Sequence, residues 1–393
     1  MNTYSKMFFL FIILILSTFM VINPRETVSA ASGGFKVWYS IILPALLPFF
    51  IVAELLVSLR FVDFLGVILE PVMRPFFKLP GSSALVVAMG FTSGFPMGAV
   101  LSKKLYEDKV LTADEAERLV SFTNNSSPLF IIAAVGVGMF ASPVLGYLLA
   151  FSHYSSNLLV GIIWGFRATQ PLVKKKNTHD IFKEAWQTLV QGLNCNTHGV
   201  GKLLAESIKN SLNNILAIAG FIIIFSVITR MFSVWGIMNI LAMILCKIFY
   251  IFHLPYTISY GLATGIFEIS IGSKAIIASQ GEVLYKLLAV SLTLAFSGLS
   301  VIAQVMGILA DTPVRLSFYL MSRLLQMLLS ALISLCTYQF LIKSGYSIPS
   351  FAIPGQKIVY SFDAWGFSLT CFALFFAIIS FLILFSWLRN NYN

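Results

Sequence analysis

The sequence predicts an all-α polytopic membrane protein of about 11–12 transmembrane helices, with two inverted five-helix repeats containing broken helices. Three observations carry this expectation. Of 393 residues, 58% are hydrophobic and only 11% charged, and the mean hydropathy is +0.88. A soluble domain carries about 25% charged residues, so this composition builds neither a water-facing shell nor a disordered chain. The apolar stretches are long and continuous rather than alternating, which argues against a β-barrel. Similar short motifs also recur at one regular offset along the chain.

The elements follow in order. Residues 1–36 hold the first apolar run, Met7–Ile22, as an N-terminal membrane helix or signal-like segment. Val28-Ser29-Ala30 before Ala31 resembles a signal-peptidase site. Retention is the reading taken, and cleavage would leave the orientation of the next segment unchanged. The first repeat, 37–166, contains the runs Val37–Leu59, Phe61–Phe77, Ser83–Ser102, Leu119–Phe140 and Pro143–Phe166. A basic cytoplasmic linker, 167–210, carries Lys174, Lys175, Lys176, Lys183, Lys202 and Lys209. The second repeat, 211–342, contains Ser211–Thr229, Val234–Phe252, Tyr256–Ser279, Leu287–Leu309 and Leu316–Ile342. An external loop, 343–365, leads to a C-terminal membrane helix in 366–393.

Charge supports this threading. The formal net charge is +10, which in a membrane protein reflects positive-inside topology and anionic lipid before nucleic acid. With all twelve runs crossing, Arg25, Lys36, Arg74, Lys78, Arg230, Lys286, Lys343 and Lys357 fall outside and Lys274 and Arg323 within runs. The other sixteen of the 26 basic residues fall inside, so both termini are expected in the cytoplasm. Thr112 with Glu115 three residues on predicts a capped helix start in the basic-acidic loop after Ser102.

Phe122-Thr123-Asn124-Asn125-Ser126 corresponds to Phe296-Ser297-Gly298-Leu299-Ser300 at an offset of 174, and Leu79-Pro80 to Leu254-Pro255 at 175. Gly90 and Gly98 match Gly265 and Gly272 within one residue of the same offset. Five runs per repeat is an odd number, so the second copy enters the membrane inverted, as in secondary transporters.

Polar chemistry concentrates in these motifs. Gly90, Gly94 and Gly98 form a strip for close helix packing, and Pro96 breaks or kinks the helix. Backbone groups freed in a bilayer must face protein, water or a ligand, so Thr92 and Ser93 are candidate binding residues. Asn124, Asn125, Ser126 and Pro128 suit a capped helix N-terminus that offers donors to an anion. The plainer alternatives are a kinked packed helix and a capped helix at the membrane surface. In the second repeat Glu268 and Lys274 lie in an apolar run, where insertion of such a charge costs about 2.5–3.5 kcal/mol. Six residues apart they cannot pair on one helix, and Gly272 is the expected break between them. Gly265, Ser297, Gly298, Ser300 and Gln304 complete the candidate set. Glu54 reads as a proton-coupling group or a buried neutral carboxyl, and Arg323 as a partner of lipid phosphate or an acidic neighbour. His153 and the other histidines read as structural.

No phosphate-binding loop, nucleophile elbow or metalloprotease motif occurs, so ATP-driven pumping and hydrolysis lack support, and no cofactor or metal is expected.

The segments LPALLPFFIVAELL (Leu43–Leu56), GFTSGFPMGA (Gly90–Ala99) and FTNNSSPLFIIAAVGVGMF (Phe122–Phe140) resemble the YlbJ-type sporulation integral membrane proteins, also called stage V sporulation protein V. These belong with the nucleoside-recognition gate-domain proteins. The commoner pattern has SGYP where this chain has Ser93-Gly94-Phe95-Pro96, and Thr-Ser-Gly-Pro where it has Asn125-Ser126-Ser127-Pro128. The resemblance implies two gate-type repeats and movement of dipicolinic acid from the mother cell across the outer forespore membrane. Dipicolinate is a flat aromatic dianion, so Lys274 is the candidate counter-charge and Phe91 or Phe95 a candidate wall. The partners implied are this small anionic solute and membrane lipid, not nucleic acid, and a homo-oligomer is compatible with the sequence. The alternatives are a carrier of nucleoside-like or other small solutes, and a non-transporting membrane protein required for spore assembly.

Overall fold

The computed structural model describes residues 3–168, 181–195, 199–250 and 254–343. The expected loop from 344 onward, the C-terminal helix Gly366–Leu388 and Lys174–Lys176 of the linker lie outside the described residues. Among those described, every regular element is helical. In chain order they are α1 (Thr3–Ile22), α2 (Pro24–Val37), a π-helical turn (Trp38–Ile42), α3 (Leu43–Ser58) and α4 (Phe61–Phe77). Next come α5 (Ser83–Ser93), α6 (Met97–Glu107), α7 (Ala113–Thr123), a π-helical segment (Leu129–Met139) and α8 (Pro143–Phe166). The second part holds α9 (Ile181–Cys195), α10 (Val200–Val234), α11 (Ile237–Ile248), α12 (Tyr256–Phe267) and α13 (Ile269–Ala278). It ends with α14 (Val283–Phe296), α15 (Gly298–Ile308) and α16 (Leu316–Lys343).

The chain is all-α and polytopic as expected, but it does not cross as twelve straight helices. Three helices among the described residues are long and apolar enough to span: Val200–Val234, Val283–Ile308 (counted through its bend) and Leu316–Leu341. The first apolar helix turns by 107° into the second at Asn23, where Pro24 starts a new helix. From there α2, the π turn and α3 run antiparallel to α10. Glu26 pairs with Arg230 at 2.6 Å, Gly34 packs on Ser226, and the Trp38 indole donates to the Ile215 carbonyl at 3.1 Å.

Phe61–Phe77, expected to cross, lies instead along one end of the bundle. Asp63 in its first turn feels Asp108, and Arg74 in its last turn pairs with Glu115 at 3.3 Å. Asp108 and Glu115 flank the single loop between α6 and α7, so both ends of α4 meet the same loop. The composition explains this: Asp63, Glu70, Arg74 and two internal prolines suit an interface better than hydrocarbon.

Ser83–Ser102, also expected to cross, folds back on itself. Ser82 packs on Gly66 and Asp108 faces Asp63, so α5 leaves α4 and α6 returns to it. Each arm has 11 residues. At 1.5 Å per residue that is about 16 Å, or roughly half of a 30 Å hydrocarbon core. Gly94, at φ 86° and ψ −167°, takes a conformation closed to other residues, and Pro96 follows it. Arg74 and Lys78 therefore sit at the same end as Lys103–Arg118, a correction to the threading expected from sequence.

Tyr256–Ser279 is a second re-entrant hairpin, formed by α12 and α13. Gly261 faces Ile276 and Gly265 faces Gly272, pairings that only antiparallel arms allow. From its base, α14 and α15 carry the chain across to the end where Asp311 pairs with Lys103 at 3.3 Å and Arg315 with Glu117 at 2.6 Å. The two hairpins thus enter from opposite ends. The linker, expected to be a polar stretch, contains α9, which packs along α4 through Phe182 on Phe64 and Gly192 on Arg60. A buried apolar cluster joins α6 and α7 to α15 and α16 through Ala99, Val120, Ile302, Val305 and Tyr319.

Candidate functional site: the broken helices and their polar cluster

Each hairpin tip rests on a break in the crossing helix that follows it. Thr112 accepts from the Glu115 amide at 3.3 Å and Glu115 accepts from the Thr112 amide at 3.0 Å, the reciprocal cap that starts α7. This helix stops at Asn124, whose extended backbone (φ −87°, ψ 99°) opens the stretch 124–128 before the π-helical segment. Ser127 accepts from the Phe130 amide at 3.2 Å, so Ser127 caps the restart and Pro128 supplies its first turn. Gly90 and Gly98 converge on the Thr123 carbonyl, and Gly94 packs on Ser127. The expected single glycine strip is therefore split between two helices, because the break at Gly94–Pro96 turns them onto one point.

In the second half the break falls on Glu268 itself, not at Gly272. The Glu268 carboxylate accepts from the Ile271 amide at 2.6 Å and caps α13. Gly265 and Gly272 lie within the arms, where they let the backbones touch. The tip packs on Ser297 (φ 70°) and Gly298 (φ 78°), which bend α14 into α15; Gly298 sits against the Phe267 and Gly265 carbonyls.

Orphaned backbone groups at the first break are satisfied by a buried polar cluster. Asn124 Oδ1 accepts from the Ala99 amide at the start of α6 at 3.0 Å. Arg323, fully buried on α16, donates to the carbonyls of Asn124 at 3.0 Å and of Ser121, and to Asn157 Oδ1 at 3.3 Å. Asn157 donates to Asn125 Oδ1. His153 Nε2 accepts from the Ser126 amide at 3.2 Å, and Tyr154 donates to the Ser126 carbonyl at 2.8 Å. His153 Nδ1 lies 3.4 Å from the Gln326 side-chain amide nitrogen. The guanidinium lies 5.1 Å over the Tyr319 ring, which packs beside the second break in one cluster with Phe296 and Leu299.

The sequence-predicted residues divide accordingly. Asn124, Asn125 and Ser126 are in the cluster, Ser93 is buried at its edge, and Ser297 is buried at the second break with its hydroxyl on the Phe296 carbonyl. Ser300 and Gln304 are buried on α15. Thr92 is exposed and donates to the Ala88 carbonyl at 2.8 Å, and Lys274 stands on the exposed face of α13, outside the cluster. Glu54 pairs with Lys104 at 2.6 Å, away from the breaks. Arg323 has neither of the partners expected for it. His153, Tyr154 and Asn157 were missed. A signal existed on α16, where Tyr319, Arg323, Gln326, Ser330 and Ser334 repeat at three- or four-residue spacing on one face. Among the described residues no cluster of His, Cys, Asp or Glu suits a metal ion.

A bundle of crossing and re-entrant helices with polar breaks defines an integral membrane protein, and residues 39–169 match the family model "Gate: Nucleoside recognition". The chain is 40% identical over 323 residues to the "Sporulation integral membrane protein YlbJ" of Bacillus subtilis, covering 81% of this chain and 78% of that protein. It belongs to the YlbJ family of sporulation integral membrane proteins. An uncharacterized protein of Alkalihalophilus pseudofirmus is 29% identical over 165 residues, 40% of this chain and 34% of that protein. A solved structure of a CNTnw variant in its intermediate 1 state is 13% identical, with 84% of this chain and 85% of that chain covered at a TM-score of 0.36.

Proposed function

We propose that this protein is a transporter that moves dipicolinic acid from the mother cell across the outer forespore membrane during sporulation. The observation that carries the reading is the pair of half-depth hairpins, entering from opposite ends, whose tips meet helix breaks around a buried guanidinium. Helix breaks at this depth are tolerated only where they line a pathway or are buried in protein. Two inverted repeats account for hairpins of opposite entry, each followed by a broken helix. Family membership supports a role in sporulation, and the substrate follows from the resemblance and from its charge. Both termini on the mother-cell side complete the reading.

A deletion strain is expected to make spores poor in dipicolinate, and proteoliposomes to take up labelled dipicolinate above empty vesicles. Normal spore content removes this substrate. A second reading, a carrier of nucleoside-like solutes, is favoured by the gate description itself and is tested by the same vesicles loaded with labelled nucleosides. Uptake of neither solute by folded protein would leave a non-transporting role in spore assembly.

A further inference from the structure

We propose that Arg323 is the specificity residue that reads the solute's negative charge, binding a carboxylate when the solute is present. The inference rests on the transport reading above and assigns the counter-charge to α16 rather than to Lys274. Four observations converge on it.

Arg323 is fully buried, and the ion pairs among the described residues all lie elsewhere. Its neighbours Asn124, Asn157 and Tyr319 are neutral. The carbonyls of Ser121 and Asn124 at the end of α7 offer it roughly half a negative charge as a helix C-terminus, so a full positive charge is left half-compensated in a bilayer. An anion completes the balance.

The donor set is also incomplete. Arg323 Nε has no hydrogen-bond partner although it is buried. The Ser126 hydroxyl, two residues past the carbonyl that Arg323 holds, is buried and likewise without a partner. Ser93 at the end of α5, beside the Gly94 tip that packs on Ser127, leaves a third hydroxyl unused. A planar carboxylate that takes the free Nε–H together with an Nη–H, displacing Ser121 or Asn157 from it, receives two parallel bonds, a geometry an ammonium cannot reproduce.

Finally, Arg323 bears on both breaks. Its Nη atoms hold the first, and its planar face lies on the Tyr319 ring, which packs beside the second in one cluster with Phe296 and Leu299. A carboxylate that draws the guanidinium away from Ser121 and Asn124 loosens the end of α7 at the point where the Gly94 hairpin rests.

The test uses full-length protein in proteoliposomes, with labelled dipicolinate and, as its neutral counterpart, labelled pyridine-2,6-dicarboxamide. Wild type is expected to prefer the dianion. Arg323→Lys keeps the charge but loses the fork, and uptake should fall about tenfold with the preference retained. Arg323→Gln should abolish the preference. Ser126→Ala removes an atom that no protein group uses, so it folds as wild type does and should raise KM for dipicolinate several-fold without changing kcat. Wild-type preference retained in Arg323→Gln, or a parallel fall for both solutes, overturns the inference, as does an unchanged KM in Ser126→Ala. If Arg323→Gln does not fold, Arg323→Lys and Ser126→Ala decide alone. Wild-type vesicles that move neither solute overturn the transport reading, and this inference with it.

Discussion

Replacing Gly272 by alanine tests the second hairpin directly. A Cβ on Gly272 would stand 2.5 Å from the Gly265 amide nitrogen and 3.0 Å from the Gly261 carbonyl oxygen. Ordinary contact begins near 3.4 Å. Both obstacles are backbone, so no side chain can swing aside and the arms must part by about 1 Å at their crossing. Overpacking of this kind costs about 1–3 kcal/mol. A central figure of about 2 kcal/mol corresponds to roughly a 30-fold shift in the unfolding equilibrium. Gly220, mid-way along α10, supplies the control, because a Cβ there meets nothing within 4 Å. Gly220→Ala should be neutral or stabilise by about 0.5–1 kcal/mol through helix propensity. Equilibrium unfolding in mixed detergent–SDS micelles measures both. Equal stability of Gly272→Ala and Gly220→Ala would refute the antiparallel Gly265–Gly272 crossing and, with it, the re-entrant assignment of Tyr256–Ser279.

Asn124→Ala removes the acceptor of the buried Ala99 amide and should destabilise by about 1–3 kcal/mol in the same assay, with no loss expected if α6 starts elsewhere. Phe182, Trp186, Val190 and Leu193 form an exposed apolar stripe on α9, so Trp186 fluorescence should be quenched by brominated lipid but not by aqueous iodide. The reverse pattern would place α9 in water. Burial, reinforced by Asp108 and opposed by Arg60, holds the Asp63 carboxyl above the usual carboxylate range. A raised pKa means that Asp63 favours the fold most when protonated and that this contribution is lost as pH rises through its folded value. Asp63→Asn should therefore be more stable than wild type at neutral pH, and the gain should disappear below about pH 4. A gain independent of pH would rule out that ionisation as its cause.

The membrane class, the positions of the breaks at Gly94–Pro96 and Asn124–Pro128, and the cap at Thr112 were legible in the sequence because each depends on local chemistry. What hydropathy misses is depth. An 11-residue apolar arm followed by a second reads as one span of twenty, and the return of Asp108 to Asp63 with the convergence of Gly90 and Gly98 on the Thr123 carbonyl distinguishes a hairpin from a crossing. The charge count tolerates this because α4 and the first hairpin each stand where a crossing is expected, as do α11 and the second hairpin. Each pair of false crossings cancels, so everything downstream keeps its side while Arg74, Lys78 and Lys247 change ends.

The site was half legible for a related reason. A break exposes its own polar residues in sequence, as Asn124, Asn125 and Ser126 do, but its satisfaction comes from elsewhere in the chain. The start of α6 is held by Asn124, the end of α7 by Arg323 199 residues later, and the Ser126 amide by His153. Each partner is an isolated polar residue on an otherwise apolar helix, which alone reads as packing. Requiring a partner for every backbone group freed at a break changes that reading, since a bilayer supplies no water to take its place. The fixed supply of buried donors on α8 and α16 then points to this cluster. The same accounting separates the two breaks: four side chains on two other helices hold the first, whereas Ser297 turns its hydroxyl to the Phe296 carbonyl beside it. The second break is thus held mainly by its own backbone, where Ser297 and Gly298 keep positive φ angles with the Glu268 tip packed against them.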